Sequence, residues 1–297
     1  MACRAFFYKG SYDLNMSSKR RNGRIFRGIL TTMGPIGVAL ALSGAPAAAW
    51  EMRVCADPNY MPQSHGTGSG YENKIAKVLA DEMGAELTFQ WWQLSPSMVD
   101  EQLREGNCDM MVGVPDSRDG VLPTIAYYRS PYAFVYREDE DYDISTFDDE
   151  VLKDLRLGVT AVMDNPHLAL SNRGLAANVV ESSVSRNNDP KGPFSGLVED
   201  VAKGEIDVAV PWGPVAGYYA AQQNPPLKVV PAPEFDFPFT PMYTTIVIAV
   251  RSGDESLRDQ LDTAIARRWD DIQAVLAEYH VPTLDLPRPT LSIGEQQ

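Results

Sequence analysis

The sequence predicts an α/β fold of two similarly built lobes joined by two hinge strands. Three observations predict it. Strand-like and helix-like segments alternate, the alternation recurs downstream with a matching Gly/Asp/Val segment, and two apolar strand-like runs bracket the second copy. In the first copy, residues 52–56 form a β-type run ended by Asp57-Pro58-Asn59. A glycine-rich stretch, Gly66 to Gly70 in alternation, leads into a helix over 71–83. There Ile75, Val78, Leu79 and Met83 recur at helical spacing, and Gly84 is the stop. Residues 87–92 read as a second strand, 98–105 as a helix ending at Gly106, and 108–112 as a third strand. That order implies parallel strands with right-handed crossovers, which places the first and third strands side by side.

In the second copy, 155–159 starts a strand, Ser195 caps a helix running to Lys203, and 206–210 is a strand. Gly106, Asp109 and Val112 match Gly204, Asp207 and Val210 at one offset, with each glycine where a helix C-cap needs a left-handed residue. The hinge strands are expected at Ala133–Tyr136 and 244–250. The expected organisation is a leader over 1–49, lobe one over 50–136, lobe two with its linker over 137–243, and a return through 244–297. In the return segment, Leu261, Ile265, Trp269, Ile272 and Leu276 fall at helical spacing within 257–279, predicting one or two helices packed on lobe one. A crevice then lies at the carboxyl ends of the strands.

The 297 residues carry 26 Lys plus Arg against 40 Asp plus Glu, net −14. Residues 1–49 hold seven of the basic residues and only Asp13, so residues 50–297 carry −20. Such a field excludes a general nucleic-acid binder and attracts cationic proteins in a salt-dependent way. Lys19 to Arg27 form a basic region, 28–45 is apolar and uncharged, and Ala47-Ala48-Ala49 fits a cleavage site before Trp50. This predicts export with a cleaved signal, with Met16 as an alternative start. No later stretch is long and apolar enough to span a membrane. Cys3 leaves with the leader. Cys55 and Cys108, on strands expected to be neighbours in an oxidising compartment, are read as one disulfide, the alternative being two buried thiols.

Several stretches, in order and spacing, resemble one family. They are Arg53-Val-Cys-Ala-Asp-Pro-Asn59, Gly70-Tyr-Glu-Asn73, Cys108-Asp109, Gly113-Val-Pro115, Tyr127-Tyr-Arg-Ser130, Trp212-Gly-Pro214 and Glu278-Tyr279. The chain resembles the quinoprotein-dehydrogenase-associated periplasmic proteins, the J proteins of methanol-oxidation operons (MxaJ and XoxJ types), within the type II periplasmic binding protein fold. The resemblance implies a periplasmic, non-catalytic accessory protein that binds or helps mature a PQQ-dependent alcohol dehydrogenase, whose cytochrome c is a further candidate partner. It implies no cofactor on this chain, because the quinone and its metal belong to the dehydrogenase. Amino-acid-binding relatives place an Asp for the ligand ammonium where this chain has Trp212, and a neutral indole cannot replace that charge. Arg118 stands near their carboxylate-binding Arg, but between Asp116 and Asp119.

The expected cleft residues are Asp57, Asn59, Tyr60, Glu72, Trp92, Arg118, Tyr128, Trp212 and Tyr218. Asp57-Pro58-Asn59 reads equally as a polar grip or as an Asx turn. Trp212, beside Gly213 and Pro214, should face Asp57 across the cleft, with Tyr218 further along the helix. In Trp91-Trp92 and Tyr127-Tyr128, strand alternation sends one ring inward and leaves the other for a cleft wall. Phe235, Phe237, Phe239 and Tyr243, set among prolines, make a stiff aromatic loop that serves either contact or hinge packing. Gly66-Gly68-Gly70 lies too far from its strand for a dinucleotide loop. Asp139, Asp141, Asp143, Ser145 and Glu150 imitate a calcium loop, but Ile144 replaces its glycine, so a solvated acidic linker is the better reading. His65, His167 and His280 show no zinc spacing, and no serine sits in a nucleophile elbow. The main alternative to an accessory protein is a solute receptor serving an importer for a small organic ligand.

Overall fold

The computed structural model describes residues 50–290 apart from 94, 96–97, 162–163 and 181–191. The leader expected over residues 1–49 lies outside the described residues. Lobe one contains β1 (Glu51–Ala56), α1 (Tyr71–Met83), β2 (Glu86–Trp91), α2 (Met98–Glu105), β3 (Met110–Pro115), β4 (Leu122–Pro123) and β5 (Tyr128–Pro131). Lobe two contains β6 (Ala133–Tyr136), β7 (Leu157–Val159), α3 (Asn165–Asn172), β8 (Val179–Val180), α4 (Ser195–Lys203), β9 (Val208–Val210), α5 (Gly213–Ala221) and β10 (Lys228–Pro231). The return segment is β11 (Tyr243–Val250), α6 (Glu255–Arg267) and α7 (Trp269–Glu278).

The first sheet runs β2-β1-β3-β11-β4, with β5 also paired to β11. Its β1 is parallel to β2 and β3, while β11 is antiparallel to its neighbours. The second sheet runs β8-β7-β9-β6-β10, with β7 parallel to β8 and β9. Ile75 and Leu79 of α1 share one buried cluster with Leu261 and Ile265 of α6 and Ile272 and Leu276 of α7. One apolar face of α1 therefore joins the sheet to the return helices. Lobe two has its own cores on both faces of its sheet, around Phe134, Leu157 and Val208 on one side and Leu197, Val201 and Ala209 on the other.

The repeat seen in sequence has a physical cause. Arg53 opens the β1 hydrogen bonding to Asp109: its backbone N donates to Oδ2 at 2.9 Å, its Nη2 to Oδ1 at 2.6 Å, and its Nη1 to the Gly106 carbonyl at 2.8 Å. Arg156 does the same in lobe two, with backbone N to Asp207 Oδ2 at 2.8 Å, Nη2 to Oδ1 at 2.6 Å and Nη2 to the Gly204 carbonyl at 2.7 Å. Gly106 and Gly204 adopt φ of 75° and 77°, which exposes those carbonyls at the helix ends. The arginine is the third member of a clamp of which the sequence comparison had matched only the Gly and Asp.

Three expectations shift. Ala133–Tyr136 belongs to the second sheet, so the first crossing falls at Tyr132 instead of after Tyr136. Tyr132 N donates to the Met242 carbonyl at 2.8 Å and the Tyr132 carbonyl accepts from Ala232 N at 2.9 Å, which ties both crossings together. Ser195 is the first helical residue of α4 and not its cap; Phe194 holds that place, and the buried Ser195 hydroxyl donates to the Gly192 carbonyl. The third strand begins at Met110, two residues past Cys108. Even so, Cys55 and Cys108 form a disulfide with Cα atoms 5.5 Å apart.

Two measurements test these contacts. Replacing both cysteines by Ser should lower unfolding free energy by about 2–4 kcal/mol in urea, with β1 and β3 still paired in hydrogen exchange. Asp207→Asn should cost about 1–3 kcal/mol. The bonds from Arg156 hold Asp207 below the usual carboxylate range. Its contribution is therefore complete above about pH 4 and lost as pH falls through the lowered pKa. Urea melts between pH 2 and 6 should show that acid-side loss in the native chain and a smaller one in the variant.

Candidate functional site

A cavity of about 940 Å³ opens where the carboxyl ends of β1 and β3 meet the crossing at Tyr132 and the start of α5. Asp57 follows β1 directly, Gly113 to Pro115 end β3, and Trp212 follows β9. Parallel strands deliver their connecting loops to one edge, which is why residues distant in sequence converge there.

The loop after β1 is held by its own polar groups. Asp57 Oδ1 accepts from Asn59 N at 2.8 Å, so the Asx turn is present, and the Asp57 carbonyl accepts from the Ser64 hydroxyl at 2.7 Å. Asn73 Oδ1 accepts from His65 N at 2.9 Å and Gly70 N at 3.0 Å, locking this loop to the first turn of α1. Tyr60 lines the cavity and meets Phe194 of lobe two edge-on, with ring centroids 5.9 Å apart.

Glu72 projects from that first turn against β3. A Cβ added at Gly113 would lie 1.9 Å from Glu72 Oε1, so the carboxyl occupies space that any side chain there would fill. Gly113 also has φ +80°, where other residues are strained. Burial raises the Glu72 pKa to about 8, so at neutral pH the group is mainly a neutral acid, able to donate as well as accept. Beside it in the wall, the buried Gln63 Oε1 has no hydrogen-bond partner among the described residues. This side of the cavity therefore offers neutral hydrogen-bonding capacity. Arg118 and Asp119 supply charge elsewhere on the wall.

Trp212 lines the cavity from the N-terminus of α5. Its Nε1 donates to the Ser130 carbonyl at 3.2 Å, and its ring stacks on Tyr128 with centroids 6.5 Å apart. It shares this cavity with Asp57.

Of the nine residues expected in the cleft, Asp57, Tyr60, Glu72, Arg118 and Trp212 line it; the other four stand outside. Asn59 pairs with His65 in a two-residue hairpin strand. Trp92 is exposed just past β2, while Trp91 stacks on Phe89. Tyr128 is buried behind Trp212, its hydroxyl 2.9 Å from that of Tyr71. The alternation argument fails for Tyr127-Tyr128 because β5 begins only at Tyr128; both rings enter the same core, and Tyr127 accepts from Gly113 N at 3.1 Å. Tyr218 stacks on Tyr279 at 5.6 Å, as packing between α5 and the end of α7. Gln63, Tyr132 and Thr244 were missed. A glycine inside a strand, Gly113, was the one available signal of a close approach. Among the described residues, no group of three or more His, Cys, Asp or Glu is placed to hold a metal ion, and no helix is long and apolar enough to cross a membrane.

Comparison with known proteins places this geometry in context. Residues 52–281 match the bacterial extracellular solute-binding proteins, family 3. The chain is 30% identical to protein MoxJ of Paracoccus denitrificans over 264 residues, covering 84% of this chain and 95% of that protein. Its fold is similar to the crystal structure of MxaJ from Methlophaga aminisulfidivorans MPT, with TM-score 0.71 and 30% identity, covering 78% of this chain and all of that one. The periplasmic binding protein XoxJ from Methylobacterium extorquens AM1 gives TM-score 0.65 and 32% identity over 79% of this chain and all of that one.

Glu72 carries a testable consequence. A carboxyl whose folded pKa is raised costs stability as pH rises from its unfolded value, about 4.3, through its folded value of about 8. Chemical denaturation from pH 4 to 9 should show this fall in the native chain and a flatter curve for Glu72→Gln. Parallel curves would refute the assignment.

Proposed function

Because the chain belongs to the family 3 bacterial extracellular solute-binding proteins, and within them to the MoxJ type, we propose that it is an exported, non-catalytic periplasmic protein that binds a PQQ-dependent alcohol dehydrogenase or assists its maturation. The observation that carries this reading is Trp212. On the lobe-two wall it presents an indole where an ammonium-binding carboxylate would stand, and that indole is fixed by Ser130 and Tyr128. A rigid aromatic at a cleft edge recognises a protein surface at low entropic cost. Trp212 brings no carboxylate from lobe two, so a zwitterion's ammonium would find its acidic partners only among the lobe-one residues Asp57 and Asp119.

A second reading, a solute receptor for a small organic ligand, is favoured by one observation. Gln63 is among the residues lining the cavity, and its buried Oε1 has no partner among the described residues; a buried polar atom of this kind calls for a donor or ordered water close by.

The two readings separate in paired measurements. The purified dehydrogenase of the host should bind the protein in interferometry, and a strain lacking the gene should yield dehydrogenase of reduced activity that added protein restores. Failure of both sinks the accessory reading. A small solute that raises the melting temperature in a dose-dependent way, as preferential binding to the native state requires, would favour the receptor.

A further inference from the structure

Phe237 and Phe239 are 82% and 88% exposed, and Phe235 is 54% exposed. They lie on a short hairpin in which Phe235 pairs with Pro241 and Asp236 with Thr240, between β10 and β11. A monomeric protein rarely leaves three neighbouring rings in water without a use for them.

The base of this hairpin is rigidly braced. Asp236 is buried and accepts from Arg173 Nη2 at 2.6 Å and Nη1 at 2.9 Å. Arg129 lies 4.0 Å from the Tyr243 ring centroid and reaches Glu234 at 3.1 Å. Phe235 meets Tyr243 edge-on at 5.6 Å, and Asn165 Nδ2 donates to the Pro241 carbonyl at 2.7 Å. The cleft wall is adjacent, since Thr244, next to Tyr243, lines it. The tip thus presents Phe237 and Phe239 on a support whose ordering cost is met before any partner arrives.

Charge selects the occupant. Glu234 and Asp148 are exposed at the base, while Arg129 and Arg173 are largely covered and engaged by those acids. Residues 50–297 carry −20, so a second copy or an anionic lipid surface would be repelled. Building on the proposed function, we infer that this hairpin is a docking element for the dehydrogenase, inserting Phe237 and Phe239 into an apolar socket rimmed by basic residues. The cleft and the hairpin then form one continuous contact face.

The test uses the full exported protein and the purified host dehydrogenase. The double variant Phe237→Ser/Phe239→Ser changes exposed rings, so its melting temperature should equal that of the native chain. Its dissociation constant should rise about tenfold or more. Native binding should weaken with added salt, as a charge-complementary rim requires. Native binding with an unchanged constant in the double variant overturns the hairpin's role and leaves the proposed function standing. No binding by the native chain overturns the hairpin's role, and it overturns the proposed function as well only where the gene-deletion strain also yields fully active dehydrogenase. Salt-insensitive binding overturns the basic rim, and a native dimer abolished by the double variant assigns the hairpin to self-association instead.

Discussion

The cleft depends on one knot of hydrogen bonds where the two sheets meet. Tyr132 bridges antiparallel to Trp212, donates to the Met242 carbonyl and accepts from Ala232. Ala133 N donates to the Pro211 carbonyl at 3.0 Å, and the Ser130 hydroxyl donates to the Pro282 carbonyl at 2.6 Å. Both crossings, the start of α5 and the C-terminal segment are therefore joined at one place. Buried backbone groups must be paired, so none of these strands can slide without losing its partners. A Cβ at Gly213 would stand 2.7 Å from the Pro131 carbonyl oxygen, and only glycine lets α5 begin so close to the crossing. That close start fixes Trp212 in the wall.

The electrostatics of the cleft follow from where the charges are spent. The Arg53–Asp109 and Arg156–Asp207 pairs are occupied in holding strand starts at the far edges of the two sheets. Inside the cleft, desolvation keeps Glu72 largely neutral, and Trp212 contributes no charge. The charge on the wall comes from Asp57, Arg118 and Asp119 of lobe one, while lobe two contributes the neutral rings of Tyr132 and Trp212. Outside, the net −20 of residues 50–297 steers the molecule toward basic surfaces at a range set by ionic strength.

Local pattern made much of the architecture legible. The helical spacing of Ile75, Leu79, Leu261, Ile265 and Ile272 identified the faces that now share one core, because amphipathic periodicity reports directly on burial. The Gly/Asp match between the copies marked the clamp, but its arginines escaped notice: each pairs with an Asp some fifty residues away, and no local pattern encodes such a distance. Strand alternation directs one ring of Trp91-Trp92 and of Tyr127-Tyr128 to a cleft wall, and Tyr218 is placed there as the next turn of helix past Trp212. Packing sent Tyr128 and Tyr218 into contacts with other rings and left Trp92 outside the wall.

The sequence by itself determined the alternating α/β order, the matched Gly/Asp segments of the two copies and the acidic field, since these follow from composition and short motifs, and it left Cys55 and Cys108 as either a disulfide or two buried thiols. Only the tertiary structure decided that the crossing falls at Tyr132, that Gln63 joins the cavity lining beside Glu72, and that three phenylalanines face water. Those outcomes depend on which surfaces meet once the sheets have formed, and a linear chain does not list its neighbours in space.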